Sequence, residues 1–205
     1  MKIGPKYKIC RRLGERIFPK CQTTKFVVSG AEKKKGGQKK RPKQLSEYGR
    51  QLLEKQKARY TYGVTEKQFS NYVKEAGKSK GNNPQATLYK LLESRLDNIV
   101  FRLGFANSRL FARQLVSHGH IMVNDRKCSI PSRRIKIGDK VSIRPQSLKK
   151  NVFSQLDDKI KETNIPSWLL FDSKKKEGEV KADPIVNEGE FILNFSTILE
   201  FYSRV

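Results

Sequence analysis

Apolar residues recur along this chain at two spacings, and the change from one to the other divides it. Up to about residue 118 the repeat is helical. The stretch "LSEYGRQLLEKQKARYTYG" (45–63) predicts a helix that begins near Ser46 and ends before Gly63. Thr65 and Gln68 have capping-box spacing, and the helix they open puts Phe69, Tyr72, Val73 and Ala76 on one stripe. A longer helix is expected over 83–104, with Asn83 as cap, Pro84 in the first turn and Gly104 as the stop. Its apolar side is Leu88, Leu91, Leu92, Ile99, Val100 and Leu103. One more helix, 108–117, is capped by Ser108.

Past residue 119 the pattern shortens to strands. "HIMVN" (120–124), "RKCSI" (126–130) and "KVSIRP" (140–145) are separated by turn signals at Asn124-Asp125 and Ile137-Gly138-Asp139. "VFSQLDDKIKE" (152–162) reads as a helix, whereas "PSWLLFD" (166–172) and "EFILNFSTILEFYS" (190–203) are apolar with either geometry open. Residues 1–44 have little periodicity, and "EKKKGGQKKRPKQ" (32–44) is a charge run expected to order only on a partner.

Winding residues 108–118 at about 100° per residue gathers Phe111, Ala112, Leu115 and Val116 on a core face. Arg109, Arg113 and Ser117 fall on the opposite arc, with Gln114 and His118 beyond them. Two arginines at i and i+4 repel each other by a few tenths of a kcal/mol. No carboxylate stands between them in sequence, so an external anion is the simplest relief, and a guanidinium fork matches phosphate oxygens. On this reading, truncating both arginines weakens anion binding and leaves the fold untouched.

Charge identifies the anion's class. Residues 1–60 hold 19 basic and 4 acidic side chains, and residues 61–150 hold 18 and 6. Residues 151–205 hold 7 and 10, so the +24 of the whole chain sits entirely in its first 150 residues. Such an excess calls for a polyanion, and nucleic acid is the expected one. No apolar stretch nears the ~20 residues a membrane-spanning helix needs, and "MKIGPKYKICRR" lacks the apolar core of a secretory signal. Cys10, Cys21 and Cys128 are an odd number without framework spacing, which points to a reducing compartment.

The run "RLDNIVFRLGFANSRLFARQLVSHGHIMVN…IPS…IKIGDKVSI" (95–143) resembles the S4 RNA-binding domain. Its flanks, "LSEYGRQLLEKQKARYTYGVTEKQFSNYVKEA" (45–76) and "ILEFYSR" (198–204), extend the resemblance to the bacterial-type small-subunit ribosomal protein S4 family. The resemblance implies an α+β, mainly α fold: a helical domain (1–93), completed by a C-terminal segment (158–205) that packs back on it. Between them it places an RNA-binding module (94–157) of two helices and a short antiparallel sheet. It implies a non-catalytic constituent of the small ribosomal subunit that binds ribosomal RNA of the five-prime domain and nucleates assembly. It further implies contact with ribosomal protein S5 and with messenger near its path into the subunit, and a role in accuracy. The setting would be a ribosome in bacterial-type cytoplasm or an organelle matrix, with no membrane, cofactor or small-molecule substrate.

The candidate RNA contacts are Arg11, Arg12, Lys55, Lys57, Arg59, Tyr60, Lys67, Arg109, Arg113, Gln114, Ser117, His118 and Asn124, with Lys39, Lys40, Arg41 and Lys43 toward messenger. Some relatives carry a four-cysteine zinc knuckle. The matching stretch here keeps only Cys10 and Cys21, fewer than the four ligands of a structural site, so zinc is not expected. Asn124-Asp125 stands where the family often has Asn-Gly, and Asp enters the left-handed region less easily than Gly. The competing classes are an S4-domain RNA-modifying or stress-related RNA-binding protein and a helix-turn-helix DNA regulator built on 84–118. The first needs a separate catalytic domain that the ~60 residues after the module are too few to form.

Overall fold

The computed structural model describes residues 3–23, 26, 45–79, 83–154, 156, 160, 163–173, 175–185 and 193–204. The chain forms two compact units, one of residues 1–73 with 191–205 and one of residues 74–190.

In the first unit, α1 (Lys6–Leu13) closes on Gly14 at φ 73° and is followed by a 3-10 turn, Pro19–Cys21. Cys10, Phe18, Cys21 and Phe26 bury each other there, with Tyr60 packed alongside. Helix α2 (Glu47–Tyr62) has the ends expected of it: the Ser46 hydroxyl accepts from the Gly49 N–H, and Gly63 takes φ 63°. At the start of α3 (Glu66–Lys78) the Thr65 hydroxyl accepts from the Gln68 N–H at 3.4 Å. The buried Gln68 Oε1 makes no hydrogen bond among the described residues, so only half the capping box forms. Phe69, Tyr72, Val73 and Ala76 are buried as their spacing requires.

The last stretch of the chain divides between the units. Residues 195–203 form a helix packed on α2, burying Phe195, Ile198 and Phe201 at i, i+3 and i+6, and Asn194 caps it by accepting from the Thr197 N–H. Leu169–Asp172 and Glu177–Val180 are strands of the second unit, so 158–205 is not one segment.

In the second unit, the helix expected over 83–104 is two: α4 (Pro84–Glu93), capped by Asn83, and α5 (Leu96–Arg102). The break has a tertiary cause. Arg95 is extended (φ −68°, ψ 138°) and forms a β-bridge with Arg134, while the Ile135 N–H reaches the Ser94 carbonyl and the Leu96 N–H the Arg133 carbonyl. These bonds replace the helical ones, so periodicity running through residue 95 masks a corner. Helix α6 (Arg109–Ser117) follows, with the Ser108 hydroxyl accepting from the Phe111 N–H.

Five described strands pair antiparallel in the order β2-β1-β3-β5-β4: β1 (Ile121–Val123), β2 (Arg126–Lys127), β3 (Lys140–Ile143), β4 (Leu169–Asp172) and β5 (Glu177–Val180). Between β3 and β4 lie a short helix, α7 (Pro145–Leu148), and a 3-10 turn at Asn151–Phe153, which takes the start of the helix expected at 152–162. Of the remainder of 155–162, only Leu156 and Ile160 are described. The helix on α2 is therefore α8 (Phe195–Ser203). The core joins Leu96, Ile99, Val100 and Leu103 of the α5 region, Ala112, Leu115 and Val116 of α6, and Ile121, Val123, Val141 and Ile143 of the sheet. Gly178 faces Leu103 so closely that a Cβ there would fall on the leucine methyls.

Asn124 and Asp125 take φ 49° and 59° with Val123 opposite Arg126, a two-residue turn left-handed at both positions. The Asn-Asp pair thus keeps the turn that Asn-Gly makes, at a conformational cost. Asp125→Gly is expected to raise stability by about 0.5–1 kcal/mol, read as a shift in denaturant midpoint at unchanged m. A loss of stability would mean the Asp side chain holds the turn.

Candidate nucleic-acid interface

Helix α6 presents Gln114, Ser117 and His118 to solvent, as its wheel predicts. Its arginines behave differently. The Arg109 Nε donates to the Asn98 Oδ1 at 2.6 Å, its Nη2 lies 4.0 Å from Glu93 Oε1, and its guanidinium stands 4.5 Å over the Phe101 ring. The Arg113 Nη1 is 3.7 Å from Asp97 Oδ2 and makes no hydrogen bond among the described residues. Both carboxylates are buried, and each already holds another arginine. Arg102 forks onto Glu93 at 3.0 and 2.9 Å, and Arg95 onto Asp97 at 2.9 and 2.6 Å. The Asn98 amide completes the first cluster, donating to Glu93 at 2.7 Å.

The expectation that Arg109 and Arg113 lack an internal anion is therefore corrected: α4 and α5 supply Glu93 and Asp97. Two carboxylates face four guanidiniums, so the region keeps an excess of positive charge, but the arginines are fixed by the fold. Their side chains are 15% and 27% exposed. Truncating them would disturb packing as well as charge, contrary to the expectation of an untouched fold.

Asn124 is likewise engaged. Its Nδ2 donates to Asp139 at 2.7 Å and its Oδ1 accepts from the Lys140 N–H at 2.9 Å, tying the hairpin to β3.

In the first unit the basic candidates separate by exposure. Arg11 and Arg12 lie in the last turn of α1, exposed, where the helix dipole favours cations, and Lys67 is exposed on α3. Lys55 is buried. Its ammonium donates to Glu66 Oε1 at 2.8 Å and stands 4.6 Å from the centre of the Phe201 ring. Arg59 reaches the other Glu66 oxygen at 3.2 Å and stacks 4.9 Å from Tyr60, whose ring meets Phe18 edge-on. Lys57 pairs with Glu54 at 2.7 Å and lies 3.6 Å from Glu15. The Tyr202 hydroxyl also donates to Glu66, at 2.7 Å.

Burial alone would raise the Glu66 pKa, but the hydrogen bonds from Lys55 and Tyr202 and the charges of Lys55 and Arg59 outweigh it and hold the carboxyl below its usual range. Burial first, then its bond to Glu66, pushes the Tyr202 phenol up. These groups lock α8 onto α2 and α3; Lys55 in particular faces the unit's interior rather than a ligand.

Cys10 and Cys21 lie against each other, buried, and the Cys21 thiol is pushed up to about 11 by burial and by Cys10. Among the described residues no three His, Cys, Asp or Glu side chains are grouped to hold a metal ion. Lys39, Lys40, Arg41 and Lys43 lie outside the described residues.

Three features escaped the sequence reading. Glu93, Asp97 and Asn98, which position the arginines, sit on other helices, where no single wheel shows them. Lys127, Arg144 and Lys150 make no ion pair among the described residues, and for Arg144 and Lys150 the signal was legible: residues 140–156 contain no Asp or Glu. His120, beside them, accompanies His118 at a ring distance of 6.2 Å.

Residues 1–93 match the family described as ribosomal protein S4/S9 N-terminal domain, and residues 94–141 match the S4 domain. Relatives named small ribosomal subunit protein uS4 are similar along almost the whole chain. That of Endomicrobium trichonymphae is 42% identical over 207 residues, that of Roseiflexus sp. (strain RS-1) 44% over 203, and that of Chromobacterium violaceum 43% over 206. Each alignment covers 98% of this chain and 98% of the relative. With similarity of this extent running through both units, the chain belongs to the small ribosomal subunit protein uS4 family.

Proposed function

We propose that the protein is a structural constituent of the small ribosomal subunit, works on the ribosome, binds ribosomal RNA directly and performs no catalysis. The observation that carries this is the near-complete alignment with uS4 relatives, which spans the basic first 150 residues as well as the acidic end. RNA of the five-prime domain is the expected partner. The exposed candidates Arg11, Arg12 and Lys67 on one unit, and Gln114, Ser117, His118 and the Asn124 hairpin on the other, make its contacts. Arg109 and Arg113 flank them with fixed guanidiniums. Lys55, Lys57, Arg59 and Tyr60 act by shaping the first unit. Ribosomal protein S5 is the expected protein partner, and a groove of about 500 Å³ in the first unit, lined by Glu47, Arg50, Glu54, Lys57 and Glu200 among others, is the surface offered to it. The basic run at 39–43 serves messenger on its path into the subunit.

The helix-turn-helix alternative loses support from the corner at Arg95, which leaves α5 with 7 residues. Sedimentation decides among the classes. The tagged protein is expected to travel stoichiometrically with small subunits, and cross-linking there to yield five-prime-domain RNA, S5 and messenger. Protein left at the top of the gradient, or cross-linked to DNA, would overturn the reading.

A further inference from the structure

Some cations of the second unit meet an internal carboxylate, and three of those without an ion pair among the described residues, Lys127, Arg144 and Lys150, lie about one corner. The turn His118-Gly119-His120 joins α6 to β1, with Gly119 at φ 71°. A Cβ on Gly119 would fall on the Lys127 side chain, whose Nζ lies 3.1 Å from that position, so the ammonium lies across the turn. The Arg144 N–H donates to the His120 carbonyl at 2.8 Å, which brings the end of β3 beside the same turn. From α7 the Ser147 hydroxyl meets His120 Nδ1 at 2.9 Å, and from the 3-10 turn Phe153 packs edge-on at 6.0 Å.

Lys150 stands one turn past Ser147, its N–H donating to the Ser147 carbonyl at 3.0 Å. The His120 imidazole is held below its ordinary value by burial first, then by the charges of Lys150, His118 and Arg144. Among the described residues no carboxylate figures in that balance. Lys127 and Lys150 are exposed and Arg144 half-exposed. Three cations from three segments thus lie about a turn whose Gly119 is buried beneath Lys127 and whose His118 is exposed, and none makes an ion pair among the described residues.

We propose that this corner is a phosphate clamp: Lys127, Arg144 and Lys150 grip the RNA backbone where it crosses the Gly119 turn, with His118 at its edge. This deepens the proposed function and rests on it, carrying the RNA-binding surface past residue 141, where the S4-domain match ends. The missing side chain at Gly119 has a use here, since it lets Lys127 lie flat over the turn. Unlike Arg102 or Arg109, these cations meet RNA with no ion pair among the described residues to break.

The test compares two triple variants of the full chain on a five-prime-domain RNA fragment, each titrated from about 50 to 200 mM salt. One is Lys127→Ala, Arg144→Ala, Lys150→Ala. The other removes three exposed cations of the same unit, Lys136→Ala, Lys175→Ala, Lys181→Ala. Each phosphate contact contributes about 0.9 to the slope of log K against log salt, so the corner variant is expected to be shallower by about 2–3 and the control by less than about 1. Circular dichroism and the emission of the single tryptophan, Trp168, confirm that both remain folded.

A folded corner variant with the native slope, or a control that loses as much, would overturn the clamp. Those outcomes leave steep binding by the unmodified chain intact. If the unmodified chain itself fails to bind, the proposed function falls instead.

Discussion

Raising monovalent salt from about 50 to 200 mM is expected to weaken binding of the chain to a five-prime-domain RNA fragment by about 10³–10⁵-fold. That range corresponds to neutralising roughly 6–10 phosphates, each releasing condensed counterions on contact. The net charge of +24 alone would allow a larger figure. The structure lowers it, because many cations are already engaged: Lys55, Lys57 and Arg59 with Glu66, Glu54 and Glu15, and Arg95, Arg102, Arg109 and Arg113 around Glu93 and Asp97. Those groups bring structure more than counterion release. Filter binding or anisotropy at several salt concentrations gives the slope directly. A flat response would mean that RNA recognition here is not electrostatic in origin. A slope well steeper than −9 would mean that the internal ion pairs open on binding.

What the sequence disclosed and what it hid follow one physical division. Helix ends are local chemistry, a side chain bonding a backbone amide two or three residues away, so Ser46, Asn83 and Ser108 were legible as caps, and Gly63 as a stop. The hairpin at Asn124-Asp125 was legible for the same reason. The corner at Arg95 was not, because the bonds that replace the helical ones come from residues 133–135, far along the chain. The arginine pair failed on the same ground: a wheel of α6 shows which residues share its face but not that Glu93 and Asn98 stand opposite. Residues 166–172 could not be assigned until β5 was there to pair with them, residue against residue from Leu169 and Val180 to Asp172 and Glu177. Lys127, Arg144 and Lys150 are the reverse case. The acid-free surroundings of Arg144 and Lys150 were visible, but only the fold shows that they lie with Lys127 about the turn at residues 118–120.

The arginine–glutamate cluster sets the second large expectation, and it comes with an order. Glu93 is 0% exposed, whereas the Arg102 and Arg109 side chains that attend it are 23% and 15% exposed. Removing one partner of a buried pair costs about 3–5 kcal/mol, because the other charge stays buried without compensation. Which partner is left decides where in that range a variant falls. Glu93→Gln leaves two guanidiniums that can turn partly toward water and an amide that Asn98 still meets, so a loss of about 3 kcal/mol is expected. Arg102→Met keeps much of the volume but strips both fork bonds from a carboxylate that cannot reach solvent, and about 4–5 kcal/mol is expected. The two changes share one network, so the double variant is expected to cost less than their sum.

Trp168, the single tryptophan, lies in the core of this unit, so its emission reports the unit's own denaturant unfolding. Against a typical domain stability of about 5–15 kcal/mol, either single change should move the midpoint far. Losses below about 1 kcal/mol for both would show that water reaches Glu93 and that the cluster is held loosely. If Glu93→Gln proved the more damaging, the carboxylate would matter chiefly as the anchor that keeps Arg102 and Arg109 in place, and the desolvation argument would be wrong.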